Sequence, residues 1–315
     1  MEKRPLGPEK LEVSLVGLGC NNFGMKIDLA ASRVVINAAF DAGITFFDTA
    51  DIYGNGQSEE FIGQVLGARR KDVVLATKFG GGARMQKSKE RWGSRAYITS
   101  CLEESLRRLR TEWVDLYQIH FPDVQTPIEE TLTALDDLVR QGKVRTVGCS
   151  NFSAAQITEA ETQAKERHLA HFVTAQNEWS LLKREVERDV IPACDRYGLG
   201  QLPYFPLASG LLTGKYRWGE GFAAGTRLAT FSFAQGMATE ENFAKVEALQ
   251  TFAQKRGHTL LELAVSWLAA HACVASVIAG ATAPEQVRLN AAAANWKLSP
   301  AELAEVDALA PLVSA

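Results

Sequence analysis

The sequence is short of several features that would assign it quickly. Its five cysteines, Cys20, Cys101, Cys149, Cys194 and Cys273, stand singly, with no CxxC and no paired spacing. That argues against a disulfide framework and for reduced thiols in a cytoplasmic setting. No stretch gathers five or six like charges, and 34 basic against 37 acidic residues leave a net charge of -3. A nucleic-acid footprint or an anionic-membrane patch is therefore not expected. The opening MEKRPLGPEK has no apolar segment behind its charges, so it does not read as a secretory signal. The best candidate for a membrane span, 263–281, is interrupted by Ser266, His271 and Ser276. It divides into an amphipathic helix through Ala270 and a β-branched strand at 274–279, so no spanning helix is expected.

Familiar catalytic signatures are missing too. His168 and His171 have an i,i+3 spacing, but no Cys, Asp or third His completes a ligand set, and no metal is expected. There is no GxSxG and no Cys–His constellation for nucleophilic catalysis. GLGCNNFG offers Gly17 and Gly19, but residue 22 is asparagine, so the dinucleotide fingerprint of an open nucleotide-binding sheet fails. Gly210 and Gly214–Lys215 miss the phosphate-loop spacing, and Tyr216 stands where Ser or Thr is needed.

What is present is a regular alternation. Short apolar runs at 15–19, 44–48, 73–78, 114–120, 144–150, 172–176, 200–204 and 275–280 read as strands. Segments with helical periodicity follow at 29–42, 58–67, 97–110, 128–141, 154–167, 185–197 and 284–295. No long linker or composition shift divides the chain, so residues 1–315 are expected to form a single α/β domain with parallel strands and right-handed crossovers. An open doubly wound sheet and a closed barrel both satisfy that pattern; eight units favour a (β/α)8 TIM barrel. Residues 6–11 are expected to plug one end. Long segments at 80–95 and 209–240 are expected to be loops over the mouth.

Barrel chemistry collects at the carboxyl ends of the strands. Reading only those ends gives Asp48, Lys78, His120, Ser150 with Asn151, Gln176 and Tyr204. Polar residues at strand ends are common, but an acid, a lysine and a histidine on successive strands, with Tyr53 five residues past the acid, are a specific set. Asp48 and Lys78 lie at matching depth on neighbouring strands and can pair. A lysine cation beside Tyr53 favours its phenolate and so eases proton transfer. A neutral His120 can hold a substrate oxygen by a hydrogen bond.

In order and over nearly the whole chain, DTADIYG, LATKF, DLYQIHFPD, VGCSNFS, TAQNEWSLL, PYFPLASGLLTGKY and IAGATAPEQVRLN resemble the aldo-keto reductases. The resemblance implies a (β/α)8 barrel that reduces an aldehyde or ketone with hydride from a nicotinamide, with Asp48, Tyr53, Lys78 and His120 as catalytic tetrad. It implies Ser150, Asn151 and Gln176 on the carboxamide and Tyr204 stacked on the nicotinamide ring. It also implies Leu207, Lys215, Gly280, Thr282, Gln286 and Asn290 around the rest of the dinucleotide. Thr282-Ala283-Pro284 opens a helix whose free amides suit a phosphate.

The cofactor expected on this resemblance is NADP(H) rather than NAD(H). Two departures bear on it: many members carry lysine where Gly280 stands and arginine where Gln286 stands. Phe205 also replaces the serine usual after the stacking tyrosine. For the substrate, Asn22, Phe23, Trp92 and Phe121 are candidate wall residues, with Trp218 from the long loop. They suit a small-molecule carbonyl compound without a required charge. Arg84, Lys87, Lys89, Arg91 and Arg95 form a basic cluster read as a solvated face. Two other functions fit the same residues: a sugar or alcohol dehydrogenase, and a cofactor-binding regulatory subunit like the potassium-channel β subunits. No sequence feature specifies an oligomeric state.

Overall fold

The structure, a computed structural model, describes residues 1–7, 11–81, 91–222, 225–230 and 232–312. Eight parallel strands make one sheet in the order β10-β3-β4-β5-β6-β7-β8-β9. They are β3 (Val16–Gly19), β4 (Phe46–Asp48), β5 (Val74–Phe79), β6 (Val114–Ile119), β7 (Val144–Ser150), β8 (Phe172–Gln176), β9 (Gly200–Gln201) and β10 (Val277–Gly280). Parallel bridges from Gln201 to Val274 and from Tyr204 to Ile278 join the last strand back to the first. The result is a (β/α)8 barrel.

The helices between the strands start where the sequence supplies a cap. Asp28 receives the Ala31 amide at the head of α1 (Leu29–Asp41), and Ser153 with Gln156 forms a capping box on α5 (Ala154–Arg167). These side chains satisfy amides that a helix leaves unpaired at its N-terminus. Between α1 and α5 lie α2 (Gln57–Leu66), α3 (Arg95–Leu109) and α4 (Ile128–Arg140). After α5 come α6 (Val190–Tyr197), the short α7 (Arg227–Thr230) and α8 (Ser232–Gln235), then α9 (Glu240–Gln254), α10 (Leu260–Ala270), α11 (Pro284–Ala292) and α12 (Pro300–Leu309).

Alternation along each strand divides the core in two. Leu75, Phe79, Tyr117 and Ile119 point out into the layer shared with the helices, whereas Phe46, Val74, Ala76 and Leu116 point into the barrel. Gly17 also faces inward: a Cβ there would come within 2.7 Å of the Phe46 ring. That glycine is explained by packing, not by a nucleotide turn.

The plug expected near 6–11 is an antiparallel hairpin of β1 (Lys3–Pro5) and β2 (Glu12–Ser14). Its Leu6 and Val13 join the barrel-interior cluster, and Arg4 donates to the carbonyls of Ala269, His271 and Val274.

Several expected boundaries shift. The strand expected at 200–204 shortens to Gly200–Gln201, because Pro203 has no N–H to donate to the ladder. The helix expected at 185–197 begins as a separate 3-10 turn, Glu185–Glu187, and that at 284–295 ends as one, Ala293–Asn295. Helix α9 and the terminal α12 are additional to the sequence reading. Among the described residues no helix is long and apolar enough to cross a membrane.

Candidate active site

Inward parity places the polar strand ends. On β4, Phe46 inside implies Asp48 inside; on β5, Val74 and Ala76 lead to Lys78; on β6, Leu116 leads to Gln118 and then His120. On β8 the pairing slips: Val147 of β7 pairs with Phe172, and Gly148 with Thr174. Such an irregularity re-aims a strand, so that Val173 packs in the barrel and Gln176, three residues later, lines the mouth.

At the floor, Lys78 is fully buried and donates to Asp48 Oδ2 at 2.7 Å, to the Thr49 carbonyl at 2.8 Å and to the Tyr53 hydroxyl at 3.3 Å. Gln176 and Gln118 donate to the other carboxylate oxygen of Asp48, at 3.0 and 3.3 Å. Asp48 is therefore held by three side chains from three strands. Tyr53 reaches the lysine because the chain turns sharply after β4, with Gly54, Asn55 and Gly56 all at positive φ. A Cβ on Gly54 would sit 2.7 Å from the Phe23 carbonyl, so side-chain space as well as backbone conformation demands glycine there.

Burial acts against the Lys78 charge, but Asp48 and the Tyr53 phenol outweigh it and hold its pKa above the ordinary value. Tyr53 departs from the sequence expectation. Burial pushes its pKa above the ordinary phenol value, Lys78 pulls it down, and Asp48 pushes it up again. The lysine thus offsets part of a desolvation effect that a sequence cannot reveal; it does not acidify the phenol outright. Tyr53 consequently holds its proton at neutral pH.

His120 lies edge-on to Tyr53, with ring centroids 5.9 Å apart, and stacks on Phe121 at 5.0 Å. Burial, with the Lys78 charge second, lowers its pKa to about 3. The imidazole is neutral, as a hydrogen-bonding group for a carbonyl oxygen requires, and its buried Nδ1 has no hydrogen-bond partner among the described residues.

Above this floor is a cavity of about 750 Å³, within the range of small-molecule and cofactor sites. The structure places Asp48, Tyr53, His120, Ser150, Asn151, Gln176, Tyr204, Leu207, Lys215, Gly280, Thr282, Gln286 and Asn290 on its wall. Tyr204 is fixed there by donating to Asn151 Oδ1 at 2.8 Å, while Asn151 Nδ2 donates to the His120 carbonyl. Ser150 donates to the Gln176 carbonyl at 2.8 Å. Gln286 folds back, accepting from the Thr282 amide at 2.7 Å and from its hydroxyl.

Of the expected substrate wall, Asn22 and Phe121 line the cavity. Phe23, Trp92 and Trp218 do not, and these placements correct the sequence reading. Phe23 is wholly buried in the core beneath the Tyr53 turn, where the short first loop folds back on itself. Trp92 donates to the Phe121 carbonyl at 3.0 Å and packs on Gly80, supporting the wall from behind. Trp218 packs on Phe243 of α9. Of the basic cluster, Arg91 and Arg95 pair with Glu130 and Asp137 on α4; Arg84, Lys87 and Lys89 lie outside the described residues.

Sequence reasoning missed Gln118, although it stands two residues before His120 on one strand face. It also missed Glu178 and Ser209 on the cavity wall.

The cavity wall offers groups suited to a nicotinamide dinucleotide. Asn22 Oδ1 and Ser209 Oγ are buried in the wall without a hydrogen-bond partner among the described residues, and α11 opens toward it with no side-chain cap. Buried polar atoms of this kind call for a ligand or water, and an uncapped helix start suits an anion. The wall fits such a group. No group of three or more metal-ligating side chains occurs among the described residues.

A model of the aldo/keto reductase family matches residues 15–311. A probable voltage-gated potassium channel subunit beta from Oryza sativa subsp. japonica is 38% identical over 296 residues, covering 91% of this chain and 89% of that protein. A protein of the same description from Arabidopsis thaliana is 36% identical over 299 residues, covering 92% and 90%. Probable aldo-keto reductase 1 from Glycine max is 34% identical over 313 residues, covering 98% and 88%.

Proposed function

The chain belongs to the aldo/keto reductase family, and on that premise we propose that it is a cytoplasmic NADP(H)-dependent oxidoreductase reducing a small aldehyde or ketone, with Tyr53 as proton donor. The observation that carries the reading is Lys78 Nζ bridging Asp48 Oδ2 and the Tyr53 hydroxyl at the cavity floor, beside a neutral imidazole.

A bound reduced nicotinamide supplies the hydride. The chain's residues do the rest. His120 donates a hydrogen bond to the carbonyl oxygen and holds it near the Tyr53 hydroxyl. As negative charge develops on that oxygen, Tyr53 gives up its proton, and Lys78 stabilises the phenolate left behind. Asp48 keeps Lys78 charged and oriented; Gln118 and Gln176 keep Asp48 in place. In the reverse direction the same groups serve an NAD(P)-dependent sugar or alcohol dehydrogenase. Ser150, Asn151 and Gln176 would hold the carboxamide, Tyr204 the ring, and Leu207, Lys215, Gly280, Thr282, Gln286 and Asn290 the remainder of the dinucleotide.

Fluorescence titration with NADPH and NADH tests the cofactor. NADPH is expected to bind at least about tenfold more tightly, a difference of about 1.4 kcal/mol. Equal affinities would remove the 2′-phosphate from the reading.

The names of the rice and Arabidopsis relatives favour a second reading, a cofactor-binding subunit of a channel. That role predicts turnover far below about 1 per second, the lower end of ordinary enzyme rates, with every aldehyde, ketone and sugar tried. An enzyme role predicts turnover within the ordinary range for at least one.

A further inference from the structure

Among the described residues, four charged ones line the cavity: Lys26, Asp48, Glu178 and Lys215. Asp48 is committed to Lys78 and the two glutamines. Lys215 stands on the seventh loop, among the residues assigned to the dinucleotide, and Lys26 on the first loop. Glu178 is different. It follows Gln176 by two residues at the end of β8 and pairs by a backbone bridge with Tyr204, itself bridged to Ile278. Its side chain has no hydrogen-bond or ion-pair partner among the described residues. The neighbouring Lys183 is within reach of Glu185 instead, at 3.1 Å.

Its position is electrostatically close to the reacting end of the cavity. The Tyr204 hydroxyl feels burial first, then the Glu178 charge, then that of Tyr53, and all three push its pKa up. Burial also raises the Glu178 pKa, with Glu185 adding to the rise and Lys183 opposing it. A partly buried carboxylate without a partner repels an anion and attracts a cation or a hydrogen-bond donor, more strongly than it would in water. Among the described residues, Phe121, Phe205, Pro206 and the uncharged His120 also line the wall.

We propose that Glu178 sets the charge preference of the site, admitting carbonyl compounds that carry a cationic or hydroxyl group and disfavouring those that carry a carboxylate. The proposal rests on the reductase reading and names the substrate class that reading leaves open. Glu178 acts on selection; the proton transfer remains with Tyr53.

Two aldehydes of matched shape test it: 4-(trimethylammonio)benzaldehyde and 4-carboxybenzaldehyde, each assayed with NADPH at about pH 8 so that the carboxylates are ionised. The wild-type protein is expected to favour the cation in kcat/KM by about tenfold or more. Glu178→Gln should cut that preference about tenfold, whereas Glu178→Asp, which keeps the charge, should retain it. A wild-type ratio near one, or a Gln variant within about twofold of the wild-type ratio, would overturn the proposal. If the wild type reduces neither aldehyde, that result counts against the reductase reading itself. The same ratio is then read from equilibrium dialysis of the two corresponding benzyl alcohols: a loss of preference in the Gln variant sustains the role of Glu178, and an unchanged ratio overturns it.

Discussion

Tyr53→Phe is expected to lower aldehyde turnover by about 10²–10⁴-fold, the usual contribution of a positioned general acid, while NADPH affinity changes by no more than a few-fold. The asymmetry follows from the geometry. The hydroxyl removed is the one 3.3 Å from Lys78 Nζ, and the ring that remains still fills its place beside His120. The dinucleotide is assigned to other residues, from Ser150 to Asn290, so its binding should survive. Stopped-flow oxidation of NADPH with and without aldehyde separates the two effects. Turnover like that of the wild type would remove Tyr53 from the mechanism.

The second large effect concerns Lys78. Its ammonium has no exposure to solvent, and Lys78→Met leaves the Asp48 carboxylate buried with only the two glutamine amides as side-chain donors. Breaking a buried pair from one side costs about 3–5 kcal/mol, readable in urea unfolding. Adding Asp48→Asn removes the stranded charge, and the double variant should recover much of that stability. Activity should not recover with it. Without the ammonium nothing offsets the burial that already raises the Tyr53 pKa, so the proton is harder to release to a developing alkoxide. A double variant restored in both stability and rate would show that Lys78 is scaffolding alone.

The barrel was legible because its signal is periodic. Short apolar runs at regular spacing mark the strands, and parity along β4, β5 and β6 carries Asp48, Lys78 and His120 to one rim. Two kinds of information were not legible. The first is which aromatic residues face the cavity: Phe23, Trp92 and Trp218 occupy loops, where no period fixes orientation, and the structure uses them as packing. The second is desolvation. The sequence reading of Tyr53 counted the nearby cation and omitted the larger effect of burial, which reverses the direction of the shift. Gln118 was recoverable in principle, since the parity that points His120 inward also points Gln118 inward. Glu178 was hidden by the irregular pairing between β7 and β8 and by the shortening of β9 at Pro203. The capping box Ser299-Pro300-Ala301-Glu302 was a visible signal for α12.

At the centre is a proton donor that stays protonated beside an imidazole that stays neutral. Single-turnover rates of NADPH oxidation by an excess of aldehyde, measured from about pH 5.5 to 9, test this directly. With Tyr53 raised above its ordinary value and His120 lowered to about 3, neither group changes protonation in that window, and the rate should stay flat within about twofold. A limb falling about tenfold per pH unit inside the window would contradict the account.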